Sequence, residues 1–206
     1  MTSINFKYRL DDENPKNIWT RFLNTKGQYQ YINPKGVALG DKDNIYSILA
    51  KRIARNPDED MVSEINSEGH FEPVIAKDYL NRVRSVAKGM LAIGIKKGTP
   101  ISIISHTSLD WAITDVAALS IGAVVVPIYE TSSTKQISYI FQDSDIEYVF
   151  CENSDLVDKC KRTNLLQTDR ILNYQKDILN QLISRGEKIS DYDLDKKIDQ
   201  VKSSDL

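Results

Sequence analysis

Three places in this 206-residue sequence carry residue types that could do chemistry. The densest is Tyr129-Glu130-Thr131-Ser132-Ser133-Thr134, a phenol, a carboxylate and four aliphatic hydroxyls placed directly after an apolar run that ends in Pro127-Ile128. Ser132 and Lys135 have the spacing that sets a serine nucleophile and a lysine on one helical turn in penicillin-binding enzymes. Ser85 and Lys88 share that spacing, and the sequence holds neither the Ser-Asp-Asn nor the Lys-Thr-Gly partner that this chemistry uses. The second place is Ser105-His106-Thr107-Ser108, where an imidazole follows a strand-like run and precedes a helix-like one. That is a suitable position for a titrating ring, although such a histidine more often satisfies loop amides. Trp111 and Asp115, just beyond it, read as packing and solvated face rather than as ligands. The third place is Cys151 and Cys160. A zinc site needs about four nitrogen or sulfur ligands at tight spacing, and His70 and His106 lie far from both cysteines in sequence. A single disulfide stays open, but two cysteines in a chain of this length fit a reducing compartment better. No Gly-x-Ser-x-Gly elbow, Gly-x-Gly-x-x-Gly fingerprint or Gly-x-x-x-x-Gly-Lys phosphate loop occurs. By themselves these residues form no complete catalytic set and no metal site.

Composition narrows the class. With 27 basic against 29 acidic side chains the net charge is −2, without the basic excess or stripe of a nucleic-acid binder. The N-terminal MTSINFKYRLDDENPKN is charged throughout and lacks the apolar core of a secretory signal. The longest apolar stretch, Ala123 to Ile128, is interrupted by Pro127 and is far shorter than the roughly 20 residues of a membrane-spanning helix. A soluble, cytoplasmic protein is expected, with attachment to a membrane surface left open.

The elements that would position these groups are legible as periodicity. Residues 1–42 have little of it and carry Asn-Pro twice, which favours extended or turn structure, so they are expected to form an arm laid over the surface. Ile45, Ile48, Leu49 and Ile53 recur at helical spacing, and Asn56-Pro57 stops that helix. MVSEI and FEPVIA, on either side of Asn66-Ser67-Glu68-Gly69, predict a β-hairpin. Tyr79, Val83, Val86, Ala87, Met90 and Leu91 predict a helix closed by Gly94; Pro100–Ile104 predicts a strand; Leu109 to Ser120 predicts a helix ended by Gly122. The continuous Ala123–Val126 run reads as an inner parallel strand covered on both faces. A helix follows through Ile137, Ile140 and Phe141, with Ser133 and Gln136 in capping-box spacing. Glu147–Cys151 then reads as a strand, Leu156–Lys161 as a weaker helix, Arg170–Asn173 as a strand, and Lys176–Ser184 as a helix. From Gly186 the sequence turns polar and carries no predicted element. This alternation predicts an α/β fold, a mostly parallel sheet flanked by helices with an N-terminal β-hairpin. In such sheets ligands bind beyond the carboxyl ends of the strands, which is where Tyr129–Ser133 falls.

Two quoted stretches carry a resemblance. KDYLNRVRSVAKGMLAIGIKKG (77–98) and GTPISIISHTSLDWAITDVAALSIGAVVVPIYETSSTKQISYIFQDSDIEYVFCEN (98–153) resemble the N-terminal region of AMP-forming acyl-CoA synthetases, in particular the long-chain fatty acid branch of the adenylate-forming superfamily. Gly98, Ile101, Ile103, Trp111, Gly122, Ala123, Val124, Val126, Pro127, Ile128, Tyr129, Thr131, Ser132, Ser133, Gln136, Tyr139, Ile140, Asp143 and Ser144 fall on that family's pattern.

The resemblance implies a partial AMP-binding domain over 43–206, ending just before the family's phosphate-binding loop. For the complete enzyme it implies ligation in two steps. A fatty acid carboxylate attacks the α-phosphate of magnesium-bound ATP to give an acyl-adenylate and pyrophosphate; the CoA thiol then displaces AMP. By the same resemblance Tyr129, Glu130 and Thr131 form the lip of the channel that CoA uses, while catalytic and metal-binding residues lie outside these 206 positions, so the chain alone is expected to be inactive. Two other readings accompany it: a non-catalytic α/β binding or interaction module derived from that family, docking on another chain through an exposed sheet edge, and a Rossmann-type nucleotide binder, which the missing glycine fingerprint disfavours; a homo-oligomer stays open.

Overall fold

The computed structural model describes residues 7–9, 18–23, 29–32, 40–65 and 68–205. Internal contacts divide the chain into two units, 1–40 and 41–206. In the first, three short strands, β1 (Lys7–Arg9), β2 (Ile18–Leu23) and β3 (Tyr29–Ile32), pair antiparallel in the order β1-β2-β3. The stretch expected to be extended or turn structure thus holds a small sheet, whose strand pairing its weak periodicity did not signal.

The second unit opens with α1 (Ile45–Arg55), started by a reciprocal capping box in which Asn44 and Ser47 each take the other's backbone N–H. The hairpin follows as β4 (Asp60–Ile65) and β5 (Phe71–Ile75), with Ile65 opposite Phe71. Then come α2 (Ala76–Ala92), β6 (Pro100–Ile104), α3 (Leu109–Ser120), β7 (Val124–Ile128), α4 (Thr134–Asp143), β8 (Tyr148–Cys151), α5 (Ser154–Lys161), β9 (Ile171–Asn173), α6 (Ile178–Gly186) and α7 (Asp191–Ile198). The last four strands form one parallel sheet in the order β7-β6-β8-β9.

Helices α2 and α3 end in the same way, and that ending sets the strand that follows. Past α2 the Gly94 N–H reaches the Leu91 carbonyl and the Ile95 N–H the Met90 carbonyl. Past α3, Gly122 and Ala123 repeat the pattern on Leu119 and Ala118. This is the Schellman closure, which needs a left-handed residue at its centre; Gly94 and Gly122 take φ +96 and +76 without a Cβ penalty. The residue after each glycine, Ile95 and Ala123, is buried, so the turn also drives the chain back into the core.

Period-2 alternation divides the sheet's two faces. Ile101, Ile103, Tyr148, Phe150 and Leu172 pack with buried residues of α2, α3, α6 and α7. Ile104, Val149, Cys151 and Ile171 pack with Ile137 and Phe141 of α4 and Leu156 and Cys160 of α5. On the first face α2 and α6 touch backbone to backbone: a Cβ placed on Gly89 would come within 2.2 Å of the Leu182 carbonyl oxygen, and one on Gly186 within 2.6 Å of the Gly89 nitrogen.

Two expectations are corrected here. Val124–Val126 is a parallel strand, but among the described residues β7 is an edge of the sheet rather than an inner strand, and its three valines are only half-buried. Its Pro127 is exposed, as suits a residue with no N–H to give to a ladder. An unbroken β-branched run thus reported a strand correctly and its burial wrongly. The polar segment after Gly186 also contains an element: α7, capped by Ser190 on the Asp193 N–H at 3.1 Å. Only Leu194 and Ile198 of its eight residues are buried. Its acidic face meets cations of α2: Arg84 contacts Asp195 at 2.8 Å and Asp191 at 3.0 Å, and Lys88 contacts Asp191 at 3.0 Å.

Candidate functional site

Helix α3 follows β6 on one face and α5 follows β8 on the other, so the loops leaving these adjacent strands diverge at their carboxyl ends. In doubly wound sheets that divergence opens the ligand crevice. Three consecutive strand ends meet there, and each is followed within two residues by a titratable group: His106 after β6, Glu130 after β7 and Glu152 after β8.

His106 holds the three loops together. Its backbone N–H donates to Glu152 Oε2 at 2.8 Å, and its ring Nδ1 lies 2.7 Å from the same oxygen. Ring Nε2 faces Glu130 Oε1 at 3.4 Å. The hydrogen bond to Glu152 raises the imidazole pKa above its ordinary value, and the negative charges of Glu152 and Glu130 push the same way. Reciprocally, the His106 backbone N–H, assisted by the imidazole, lowers the pKa of Glu152. By the sign of the shift, stability from this histidine is complete below its unfolded pKa of about 6.5 and is lost as pH rises through the raised folded value.

Beside this cluster lies a cavity of about 430 Å³. Ser105, His106 and Thr107 wall it from the end of β6, Trp111 from α3, and Pro127, Ile128, Tyr129 and Glu130 from β7. Of the three residues assigned to the channel lip, Tyr129 and Glu130 line this cavity and Thr131 is exposed on the adjoining turn. Tyr129 is 83% exposed, so its ring stands at the mouth. The turn is closed by the Ser132 N–H on the Tyr129 carbonyl at 3.0 Å. From α5, Lys159 Nζ donates to the carbonyls of Glu130 and Ser132, both at 3.3 Å.

The hydroxyls after Glu130 divide their roles. Ser133 caps α4: its Oγ accepts from the Gln136 N–H at 3.3 Å, and Gln136 Oε1 accepts from the Ser133 N–H at 2.8 Å, the reciprocal box expected from spacing alone. Trp111 is a wall of the cavity rather than packing alone. Asp115 is partly buried, and desolvation raises its pKa. Cys151 and Cys160 are free thiols, wholly buried, with Sγ atoms 3.7 Å apart beneath the Glu152 loop. The residues missed from sequence are Glu152 and Lys159. A signal for Glu152 was present, since it sits directly after an apolar strand just as Glu130 does. Among the described residues no three histidine, cysteine or acidic side chains converge as a metal site, and no helix is long and apolar enough to cross a membrane.

A parallel sheet with helices on both faces and a cavity of mixed lining at its carboxyl edge defines an α/β protein of the doubly wound kind. Residues 49–205 match the family described as AMP-binding enzyme, and the chain belongs to that family. It is 34% identical over 119 residues to the long-chain-fatty-acid–CoA ligase FadD15 of Mycobacterium bovis, a match covering 58% of this chain and 20% of that ligase. It is 29% identical over 103 residues to fatty acyl-CoA synthetase B of Dictyostelium discoideum, covering 48% of this chain and 15% of the synthetase. These matches span a fifth or less of either relative's length. Among solved structures, the inhibitor-bound N-terminal domain of FACL13 from Mycobacterium tuberculosis superposes with a TM-score of 0.60 at 20% identity, over 68% of this chain and 35% of that one. The last comparison establishes the shared fold.

Proposed function

We propose that these 206 residues are the N-terminal part of a long-chain fatty acid–CoA ligase and that the β7–α4 turn is the lip of its CoA channel. The observation that carries the reading is the family match over 49–205, joined to a cavity whose mouth is made by Tyr129 and Glu130. A carboxylate is a poor acyl donor, and its activation by ATP asks a protein chiefly for positioning and charge stabilisation. In this division of labour the chain supplies the braced sheet and the opening by which the thiol arrives.

The cavity's chemistry suits a neutral, amide-bearing arm such as the pantetheine part of CoA. Pro127, Ile128 and Trp111 offer apolar wall, while Thr107 and Tyr129 offer hydroxyls; that of Ser105 is already given to the His106 carbonyl at 2.7 Å. Thr131 extends the lip outward. ATP and CoA are substrates of the complete ligase. Magnesium, which the reaction with ATP implies, finds no ligand set among the described residues. The two free thiols support a reducing compartment such as the cytoplasm. The 206 residues by themselves are expected not to form acyl-adenylate.

Two measurements on a complete ligase carrying this segment test the reading. Pyrophosphate exchange into ATP that depends on a long-chain fatty acid is expected, and no exchange with any acid overturns the ligase assignment. Tyr129→Ala is expected to raise KM for CoA while leaving exchange, which precedes CoA, unchanged. Equal loss in both reactions overturns the lip assignment alone.

A further inference from the structure

His106 presents both ring nitrogens to carboxylates, Nδ1 to Glu152 at 2.7 Å and Nε2 to Glu130 at 3.4 Å. A neutral imidazole has one N–H and one lone pair. Whichever tautomer it adopts, its second nitrogen would point a lone pair at a carboxylate oxygen. The two contacts coexist as attractive only in the imidazolium.

The two carboxylates are not equally held. Glu152 also accepts the His106 backbone N–H, and its own amide donates to the Ile104 carbonyl at 3.0 Å, at the end of a strand whose four residues are all buried. Among the described residues the Glu130 carboxylate pairs with His106 alone. Loss of the proton therefore keeps Nδ1–H on Glu152 and gives up Glu130. Glu130 belongs to the turn that forms the mouth of the 430 Å³ cavity.

We propose that His106 is a positioning residue that works as a proton-dependent latch: as an imidazolium it ties the Tyr129–Ser132 turn to the end of β8, and on deprotonation it frees the Glu130 side of the cavity mouth. Glu152 comes from the β8 end and Glu130 from the β7 end, and both favour the proton. Lys159 of α5 holds the Glu130 and Ser132 carbonyls from beneath, in a contact that does not depend on the imidazole proton. The turn thus has one pH-dependent tether and one constant tether. Because the ring is 69% exposed, the latch biases the closed-to-open ratio by no more than about five-fold, the upper end of what an exposed ion pair supplies. The inference concerns the turn's own equilibrium and holds whatever ligand enters the cavity.

Nuclear magnetic resonance on the 206-residue chain tests it. Histidine ring carbon–proton and backbone amide spectra would be recorded from pH 5.5 to 9. The His106 ring is expected to titrate above the ordinary value of about 6.5, and the amides of Glu130, Thr131 and Ser132 to shift with the same midpoint. In Glu130→Gln the ring should still titrate against Glu152 while the turn amides lose that midpoint. In Lys159→Met the midpoint should persist with a larger amplitude at the turn. Turn amides that stay flat through the His106 titration overturn the latch, as does a coupled titration surviving unchanged in Glu130→Gln. The wild-type titration decides the question even if a variant folds poorly.

Discussion

Strands β7 and β8 are both parallel neighbours of β6, paired to it residue by residue, yet they are built differently. All four residues of β8 are buried, and β9 covers its far side. In β7 three valines are half-buried, Pro127 is exposed, and the outer side is unpaired among the described residues. The two loops at their carboxyl ends inherit the contrast. Glu152, after β8, is tied by backbone and side-chain bonds, whereas Glu130, after β7, is tied through one ring nitrogen and a lysine. One strand is anchored on both sides and the other on one, so the turn after β7 is the more weakly held of the two, and weakly held segments open at lower free energy.

The sharpest way to break this comparison is to truncate one apolar residue on each strand. Phe150 of β8 is wholly buried and stacks on Tyr174, with ring centroids 6.2 Å apart and planes at 30°. Phe150→Ala is expected to cost about 3–5 kcal/mol, transfer and cavity effects together. Val125→Ala on β7 removes less area from a half-buried site and is expected to cost about 1 kcal/mol. Urea unfolding of the two variants measures both. Equal losses would mean that β7 is as deeply integrated as β8, and the anchor-and-lip distinction would fail.

The same contrast explains which parts were legible beforehand. Some helix starts and stops were, because caps are local chemistry: Ser133 with Gln136, Gly94 and Gly122 act on backbone groups three residues away. The parallel strands were, because four or five apolar residues bounded by turns have few other uses. The burial of β7 was not, since an unbroken valine run looks alike whether one face or two are covered, and strand order decides which. Helix α7 escaped notice because much of what holds it lies on α2: Arg84 and Lys88 are more than 100 residues from Asp191 in sequence. The site was half legible. Glu130 and His106 stood out by residue type, but their juxtaposition with Glu152 and Lys159 depends on how three strands order in the sheet, and no spacing along the chain encodes that order.

A smaller effect sharpens the comparison at the helices that follow the two strands. Ser133 caps α4 after β7, and Asn153 caps α5 after β8, its side chain accepting the Leu156 N–H at 3.0 Å. Replacing either by Ala removes one cap worth about 1 kcal/mol. The Asn153→Ala loss is expected to appear in full in global unfolding, because α5 packs on the anchored side. The Ser133→Ala loss should appear mainly as faster amide exchange in the first turn of α4. If both losses registered equally in global stability, the β7 side would not open separately from the rest.

The last probe reads how often each strand opens rather than how much stability it lends. Cys151 and Cys160 lie wholly buried between β8 and α5. Their mutual contact and burial raise the Cys151 thiol pKa, which lowers the thiolate fraction that reacts. A disulfide reagent is therefore expected to find no fast-reacting thiol in the native chain and two after unfolding. A reporter Val126→Cys on β7, in a background with both native cysteines replaced by Ala, should label at least about tenfold faster, since its local opening is easier. Part of any difference reflects thiolate content, so the comparison is made over a pH range in which each rate is corrected for the fraction ionised. If the corrected rates converged, β7 and β8 would open together, and the Tyr129–Ser132 turn would have no independent motion for His106 to control.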